Sequence, residues 1–238
     1  MSSALVRLGE LTRSALLDPV PRDHRQSDAE FRRRRIVAAI TLVVGTAVLG
    51  ISLAVKPGDP AFYPLTAVLA AVWVIGGFAS GPLHLGRIEV RGTLRRPVLT
   101  PIAFGLIAAA IFVLGALVVR EIGPLADYTQ SVLDHARKGS LPLLVLITVG
   151  NGITEEVYFR GALYAAIGVR HPVPITTLVY AIATVASGNP MLVFAALTLG
   201  LVLALQRRAS GGLLAPILTH ITWSTCMLFL LPPIFGSR

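Results

Sequence analysis

Seven apolar runs, separated by short polar connections, dominate this sequence. A helix rises about 1.5 Å per residue, so each run is long enough, or nearly so, to cross about 30 Å of hydrocarbon. A helix also satisfies its own backbone hydrogen bonds, as a lipid environment requires. We therefore expect an all-α, polytopic integral membrane bundle of about seven transmembrane helices, formed by residues 36–55, 61–79, 98–119, 141–168, 173–186, 191–206 and 213–231.

The composition predicts one membrane domain over residues 36–238. Hydrophobic residues make up 54% of the 238 residues and charged residues only 14%, which is too apolar for an ordinary soluble domain. The formal net charge is +9, and most of the basic residues flank apolar runs. The positive-inside rule accounts for that placement, so we expect a membrane lipid environment and no nucleic-acid partner.

Residues 1–35 form a basic N-terminal segment that ends in four consecutive arginines at positions 32–35. In the cell membrane, this block should keep the N-terminus on the cytoplasmic side. Seven crossings would then leave the C-terminus outside. From Leu5 to Leu16, apolar residues recur at helical spacing opposite charged ones. The pattern suits an amphipathic helix lying on the membrane surface, with a disordered tail as the alternative.

The fourth run contains charges at membrane depth, in the stretch T-V-G-N-G-I-T-E-E-V-Y-F-R-G over residues 148–161. A carboxylate there costs about 2.5 to 3.5 kcal/mol on insertion scales, so it needs a partner or a use. On a helix, Glu156 and Arg160 are four residues apart and can form an ion pair. Glu155 points about 100° away, on a polar stripe with Asn151 and Tyr158. We expect one structural pair and one spare carboxylate.

The fifth and sixth runs are short, because about 14 to 16 helical residues reach only about 21 to 24 Å. Their connection, Ser187-Gly188-Asn189-Pro190, should therefore lie below the outer surface. Irregular backbone at that depth needs cover from protein or from a water-filled cavity. The two runs predict a wet cavity that opens outward near the end of the fifth helix.

Two blocks of the sequence resemble motifs of the CPBP family, the CAAX prenyl protease and bacteriocin-processing (Abi) intramembrane endopeptidases. Glu155-Glu156-x-x-x-Arg160 resembles the family's E-E-x-x-x-R motif. The stretch L-L-A-P-I-L-T-H-I-T-W-S in the seventh run resembles the final block, in which His220 matches the histidine of H-x-x-x-N and Ser224 replaces the asparagine. The resemblance covers about residues 141–225.

A third motif of that family, F-x-x-x-H, is best placed on V-Y-A-I-A-T in the fifth run. Tyr180 then stands at the phenylalanine position and Thr184 at the histidine position. Threonine cannot act as a base, although its hydroxyl could hold a water molecule by one hydrogen bond. We expect the fourth, fifth and seventh helices to converge on a polar cavity, which Tyr180, Asn151 and Tyr158 would also line.

The resemblance implies an endopeptidase that hydrolyses a peptide bond near the membrane surface. In the family, the first glutamate and the F-x-x-x-H histidine activate water, and the final histidine and asparagine bind the oxyanion. A desolvated carboxylate gains basicity, and preorganised donors stabilise the developing charge. The implied catalytic residues are Glu155, Thr184, His220 and Ser224, with Glu156 and Arg160 as the structural pair.

The sequence is also compatible with other functions. A non-catalytic member of the family could bind peptides or membrane proteins through the same cavity, as an immunity or scaffold factor. A proton or solute carrier would use Glu155 as a relay, which the lack of a second acidic site along a path disfavours. Zinc normally takes three protein ligands and no H-E-x-x-H is present, so we expect no cofactor and only weak support for zinc on Glu155, Glu156 and His220.

Overall fold

The computed structural model describes residues 3–21, 26–90 and 92–236, and it is almost entirely helical. A short antiparallel hairpin, β1 (Ile88–Val90) and β2 (Thr93–Arg95), lies between the third and fourth helices. The helices are α1 (Ser3–Leu16), α2 (Asp28–Ala54), α3 (Phe62–Ser80), α4 (Leu99–Val119), α5 (Gly123–Arg137), α6 (Leu141–Ile167), α7 (Pro172–Val185), α8 (Pro190–Ser210) and α9 (Leu214–Phe235). The predicted all-α membrane bundle is confirmed.

Each of the seven predicted apolar runs forms a helix, from α2 to α4 and from α6 to α9. In the described part of the chain, five of these (α2, α3, α4, α8 and α9) are long and apolar enough to span a membrane alone. The count rises to six when α5 and α6, which are bent by 119° at their junction, are taken as one broken span. The seventh, α7, is a shorter apolar helix, as the short fifth run predicted.

The N-terminal segment contains α1, whereas residues 22–25 of that segment lie outside the described residues. Val20 N donates to Ala209 O at 3.0 Å, and Arg208 donates to Leu17 O at 3.1 Å. Ser14 also donates to the carbonyl of Glu89 in β1. The segment therefore docks on the C-terminal end of α8 and on the hairpin.

The arginine block fastens the start of α2 to the end of α3. Ser27 and Glu30 form a capping box that starts α2, which satisfies free N–H groups of its first turn. Arg33 then donates to Ala79 O at 3.0 Å. Arg34 is 1% exposed and donates to Pro82 O at 3.1 Å. These arginines satisfy carbonyls at the end of α3, where a helix leaves them without intrahelical partners.

The start of α9, which carries His220, is fixed by a close crossing of two loops. Leu213 N donates to His84 O at 2.9 Å, and Arg87 N donates to Ser210 O at 2.8 Å. A Cβ added at Gly212 would collide with the backbone of Leu85 and Gly86. Glycine is needed there because two backbones pack directly against each other.

A cavity of about 840 Å³ lies at the C-terminal end of α2. Its lining includes Ser187, Gly188 and Asn189, where the sequence predicted an outward-opening cavity, and parts of α2 and α5. The Asn189 amide donates to Tyr128 O at 2.7 Å and to Ser131 Oγ at 3.1 Å. The connection between α7 and α8 is thereby tied to α5, a helix that the apolar runs did not predict.

Candidate active site

Helix α6 changes its winding where the charged residues occur. It is α-helical from Leu141 to Glu156 and π-helical from Val157 to Leu163. Wider π-helical turns are rare and are found mostly at functional sites. Every residue of the π-helical segment is buried. The carbonyl of Arg160, within this segment, accepts a hydrogen bond of 2.6 Å from Arg207 Nε of α8.

Glu156 and Arg160 form a fully buried pair. Arg160 Nη1 donates to Glu156 Oε1 at 2.9 Å, and both side chains are 0% exposed. Arg160 Nη2 donates to Gly200 O on α8 at 3.0 Å. A Cβ added at Gly200 would lie 3.1 Å from Arg160 Nη2 and 3.1 Å from the Tyr180 ring. Gly200 therefore lets the α8 backbone approach the guanidinium closely, as small residues do in helix packing within membranes.

His220 also binds this pair. Its Nδ1 lies 2.9 Å from the same oxygen, Glu156 Oε1, and the residue is 6% exposed. A carboxylate only accepts, so the partner assigns the ring proton to Nδ1. Within the described residues, Nε2 has no hydrogen-bond partner. The sequence did not predict this hydrogen bond between His220 and Glu156.

Glu155 has a different partner. Tyr180 of α7 donates its hydroxyl to Glu155 Oε2 at 2.6 Å. The other carboxylate oxygen, Oε1, has no hydrogen-bond partner among the described residues, and Glu155 is only partly buried. The two neighbouring glutamates therefore have different partners. Glu156 faces cationic or polar nitrogen groups, and Glu155 faces a neutral hydroxyl.

The two substituted motif positions make hydrogen bonds within their own helices. Thr184 is buried and donates to Tyr180 O at 2.8 Å. Ser224 is partly buried and lies 3.4 Å from Ile221 O, one turn earlier in α9. The sequence suggested that the Thr184 hydroxyl could hold a catalytic water by donating or accepting one hydrogen bond, and its single proton is already used. Its oxygen can still accept a hydrogen bond.

The polar stripe predicted on α6 is divided between two surroundings. Tyr158 is 0% exposed, donates to Ala38 O of α2 at 2.6 Å and stacks on Trp73 with ring centroids 4.5 Å apart. It therefore packs towards α2 and α3 rather than towards Tyr180. Asn151 is partly buried, and its carbonyl accepts from Thr154 at 3.2 Å. Of the stripe, only Glu155 is hydrogen-bonded to α7.

Sequence reasoning missed three contributors to the site. The sequence alone singled out neither Gly200 nor Arg207, whose contacts with Arg160 appear only in the fold. Tyr180 was expected to line the cavity but not to bind Glu155. Gly200 and Arg207 lie about two turns apart on α8 and belong to no motif, so neither contact could be predicted without the fold. For Tyr180 a signal existed, since a tyrosine replaces the phenylalanine of the family motif.

The residues do not form a multidentate metal centre. Over residues 3–21, 26–90 and 92–236, no group of three or more His, Cys, Asp or Glu side chains is placed to hold a metal ion. His220 Nδ1 and Glu156 Oε1, two of the weak zinc candidates, are bonded to each other. The cavity at the C-terminal end of α2 is a separate feature, because its lining includes neither Glu155 nor His220.

The fold and site define a polytopic membrane protein in which a glutamate pair meets a histidine and a tyrosine from two other helices. Residues 137–226 match the family model described as type II CAAX prenyl endopeptidase Rce1-like. The matched region is about two fifths of the chain and includes Glu155, Glu156 and His220. At the family level, the match supports a CAAX-type intramembrane peptidase. No curated protein and no solved structure matched the chain.

Proposed function

We propose that this protein is an intramembrane endopeptidase in which Glu155 activates water against a peptide bond near the membrane surface. The observation that carries the proposal is the state of Glu155: a partly accessible carboxylate with one oxygen held by Tyr180 and the other without a protein partner. A base needs both a fixed position and an open acceptor oxygen. Glu156, which is fully buried and bonded through Oε1 to two side chains, lacks the access that such a role requires.

In the proposed reaction, a water molecule gives one proton to Glu155 Oε1 while its oxygen bonds to the scissile carbonyl carbon. The carbonyl π electrons move onto oxygen and form an oxyanion. The C–N bond then breaks, and Glu155 returns the proton to the leaving nitrogen. His220 is the candidate oxyanion donor, because Glu156 holds Nδ1 and leaves Nε2 directed elsewhere. As an oxyanion donor, Nε2 has to carry a proton in addition to the one on Nδ1.

The substrate class follows from the surroundings. The site lies among buried helices of a membrane bundle, so we propose a peptide or membrane-protein segment that reaches it from the bilayer or its surface. The matching family description names a CAAX prenyl endopeptidase. No cofactor takes part in the proposed reaction.

The test is proteolysis by purified protein in lipid vesicles against a peptide library. Variants Glu155→Ala and His220→Ala should each remove cleavage. Glu121→Gln is the matched control, because Glu121 is an exposed acid paired with Arg120 outside the site. Cleavage that survives both substitutions at the site would assign the activity to a contaminant or to other residues.

A second candidate is a non-catalytic binding, immunity or scaffold factor that uses the same site around Glu155. One observation favours it: the Thr184 hydroxyl is bonded to its own helix at a position where the family has a histidine. This candidate predicts that Glu155→Gln leaves partner binding and cellular phenotype unchanged. If that variant is silent in cells, and Thr184→His combined with Ser224→Asn still cleaves nothing, the peptidase proposal fails.

We further propose a cell-membrane location with a cytoplasmic N-terminus. The arginine block, α1, the hairpin and Arg208 all lie at one end of the bundle, which is the end that the positive-inside rule places in the cytoplasm. In a Cys226→Ala background, single cysteines at Ser14 and Ser187 should label from opposite sides of sealed vesicles. Labelling of both from the same side would refute the orientation.

A further inference from the structure

The position of Tyr180 in this chain differs from the family motif in a way that changes the chemistry of the site. Where the motif has phenylalanine, this sequence has tyrosine. Its hydroxyl donates to Glu155 Oε2 at 2.6 Å, a length typical of a strong hydrogen bond from a hydroxyl to a carboxylate. A phenylalanine at this position would leave Glu155 without that bond.

The neighbouring substitution removes the group that would otherwise have served Glu155. Thr184, at the histidine position, uses its proton on the carbonyl of Tyr180 at 2.8 Å. A threonine hydroxyl has one proton, so it cannot also donate to Glu155 or to a water molecule. The two substitutions are therefore complementary: the donor lost at position 184 is supplied four residues earlier, on the same helix.

The Tyr180 ring is held on several sides. The Arg160 guanidinium lies 4.7 Å from its centroid, and the Phe159 ring is 4.5 Å away. The backbone of Gly200 leaves just enough room, since an added Cβ would lie 3.1 Å from the ring. A ring fixed by its neighbours holds its hydroxyl in one place, and preorganisation of this kind is what a supporting residue contributes to catalysis.

We propose that Tyr180 is the positioning residue of the Glu155 base and replaces the histidine that is absent at position 184. The inference rests on the proposed peptidase function. Tyr180 holds Oε2, so that Oε1 faces the attacking water. Throughout the reaction Tyr180 keeps its own proton, while the water proton moves to Glu155 Oε1 and then to the leaving nitrogen. The proposed base is thus a glutamate that a tyrosine holds in position.

The test compares Tyr180→Phe, Thr184→His and the double variant with wild type in the same vesicles and on the same cleaved peptide. Tyr180→Phe should lower kcat by about 10- to 100-fold with KM unchanged, because the hydroxyl positions the base and does not bind substrate. The double variant restores the family's residues at both positions, and its kcat should be at least tenfold higher than that of Tyr180→Phe. Tyr63→Phe is the matched control, since it removes a hydroxyl bonded to Ser140 N outside the site.

Infrared spectroscopy provides a readout that does not depend on activity. The carboxylate band that disappears in Glu155→Gln should shift in Tyr180→Phe and stay unchanged in Tyr63→Phe. No shift would overturn the inference and leave the proposed function intact. A Tyr180→Phe variant with the same kcat as wild type would also overturn the inference and leave the proposed function intact. So would a double variant whose kcat is no higher than that of Tyr180→Phe. A shifted band with an inactive wild type would overturn the proposed function and with it the catalytic role of Tyr180.

Discussion

The two sides of α6 at Glu155 and Glu156 carry the same side chain in opposite surroundings. On one side, Glu156 is 0% exposed and one of its oxygens bonds to both Arg160 and His220. On the other, Glu155 is partly buried and bonds to the neutral hydroxyl of Tyr180. The surroundings differ because adjacent helical residues point about 100° apart, so one meets α8 and α9 and the other meets α7.

Two carboxylates of the same residue type, adjacent in the sequence, therefore have different roles because their partners differ. A buried carboxylate with a cationic partner is fixed, and removal of either partner leaves an uncompensated charge. A carboxylate with a neutral partner and a free oxygen can exchange a proton without loss of a structural contact. We therefore expect changes at Glu156 to be felt mainly in stability and changes at Glu155 mainly in turnover.

The largest expected effect is that of Glu156→Ala. It leaves buried Arg160 without its carboxylate and removes the partner of His220, so we expect a loss of about 3 to 5 kcal/mol in the free energy of unfolding. Reversible denaturation in mixed micelles would measure it. Glu121→Ala, at an exposed pair, should change stability by about 1 kcal/mol or less. Equal effects of the two variants would remove the distinction between the two sides of α6.

Glu155→Gln should show the opposite behaviour. The amide is close in shape and its oxygen can still accept from Tyr180, so we expect a stability change of about 1 kcal/mol or less. The amide cannot take a proton from water, and kcat should fall by about 100-fold or more. Both quantities come from one preparation, by thermal unfolding and by peptide cleavage. Undiminished kcat would place the base elsewhere.

Gly200→Ala tests both sides at once. Its added methyl group would lie 3.1 Å from Arg160 Nη2 and 3.1 Å from the Tyr180 ring, and overpacking of this kind costs about 1 to 3 kcal/mol. Because Tyr180 would be displaced, we also expect kcat to fall several-fold. Gly115→Ala is the control, as nothing lies within 4 Å of an added Cβ there. A harmless Gly200→Ala would show that the crossing of α6 and α8 is loose.

The smallest effect is expected for Thr184→Val. The hydroxyl bonds to a carbonyl of its own helix, so its loss should cost about 0.6 kcal/mol, as is usual for hydrogen bonds within membrane helices. We expect kcat to stay within about threefold of wild type, since Tyr180 rather than Thr184 supports Glu155. Complete loss of cleavage would instead show that the Thr184 oxygen holds the attacking water.

The sequence predicts most of the fold because a membrane leaves few choices. All seven apolar runs form helices, and the short fifth run forms the short helix α7. Helix α5 was not predicted, because polar residues interrupt its apolar ones and it contains no long apolar run. The hairpin was missed too, since each of its strands has only three residues, too few to show an alternating pattern.

The site was predictable only as a set of residue types. Motif spacing brought together Glu155, Glu156 and His220, but it could not say which glutamate the histidine would bind. That choice depends on the rotation of α6 against α9, which is set by packing contacts such as that of Gly152 with Ile221. The π-helical turns were not predicted either, and they change the direction of every residue after Glu156, including Arg160.

The buried Glu156 and Arg160 pair has a consequence for the order in which the chain is made. Gly200, Tyr180 and His220, which surround this pair, all lie later in the sequence than α6. When α6 leaves the ribosome, none of them has been synthesised, so the pair lacks the Gly200 carbonyl and His220, and Glu155 lacks Tyr180, which is costly in lipid. Helix α6 should therefore remain beside the protein-conducting channel until α7, α8 and α9 emerge. A chain truncated before Gly200 should expose α6 to quality-control proteases.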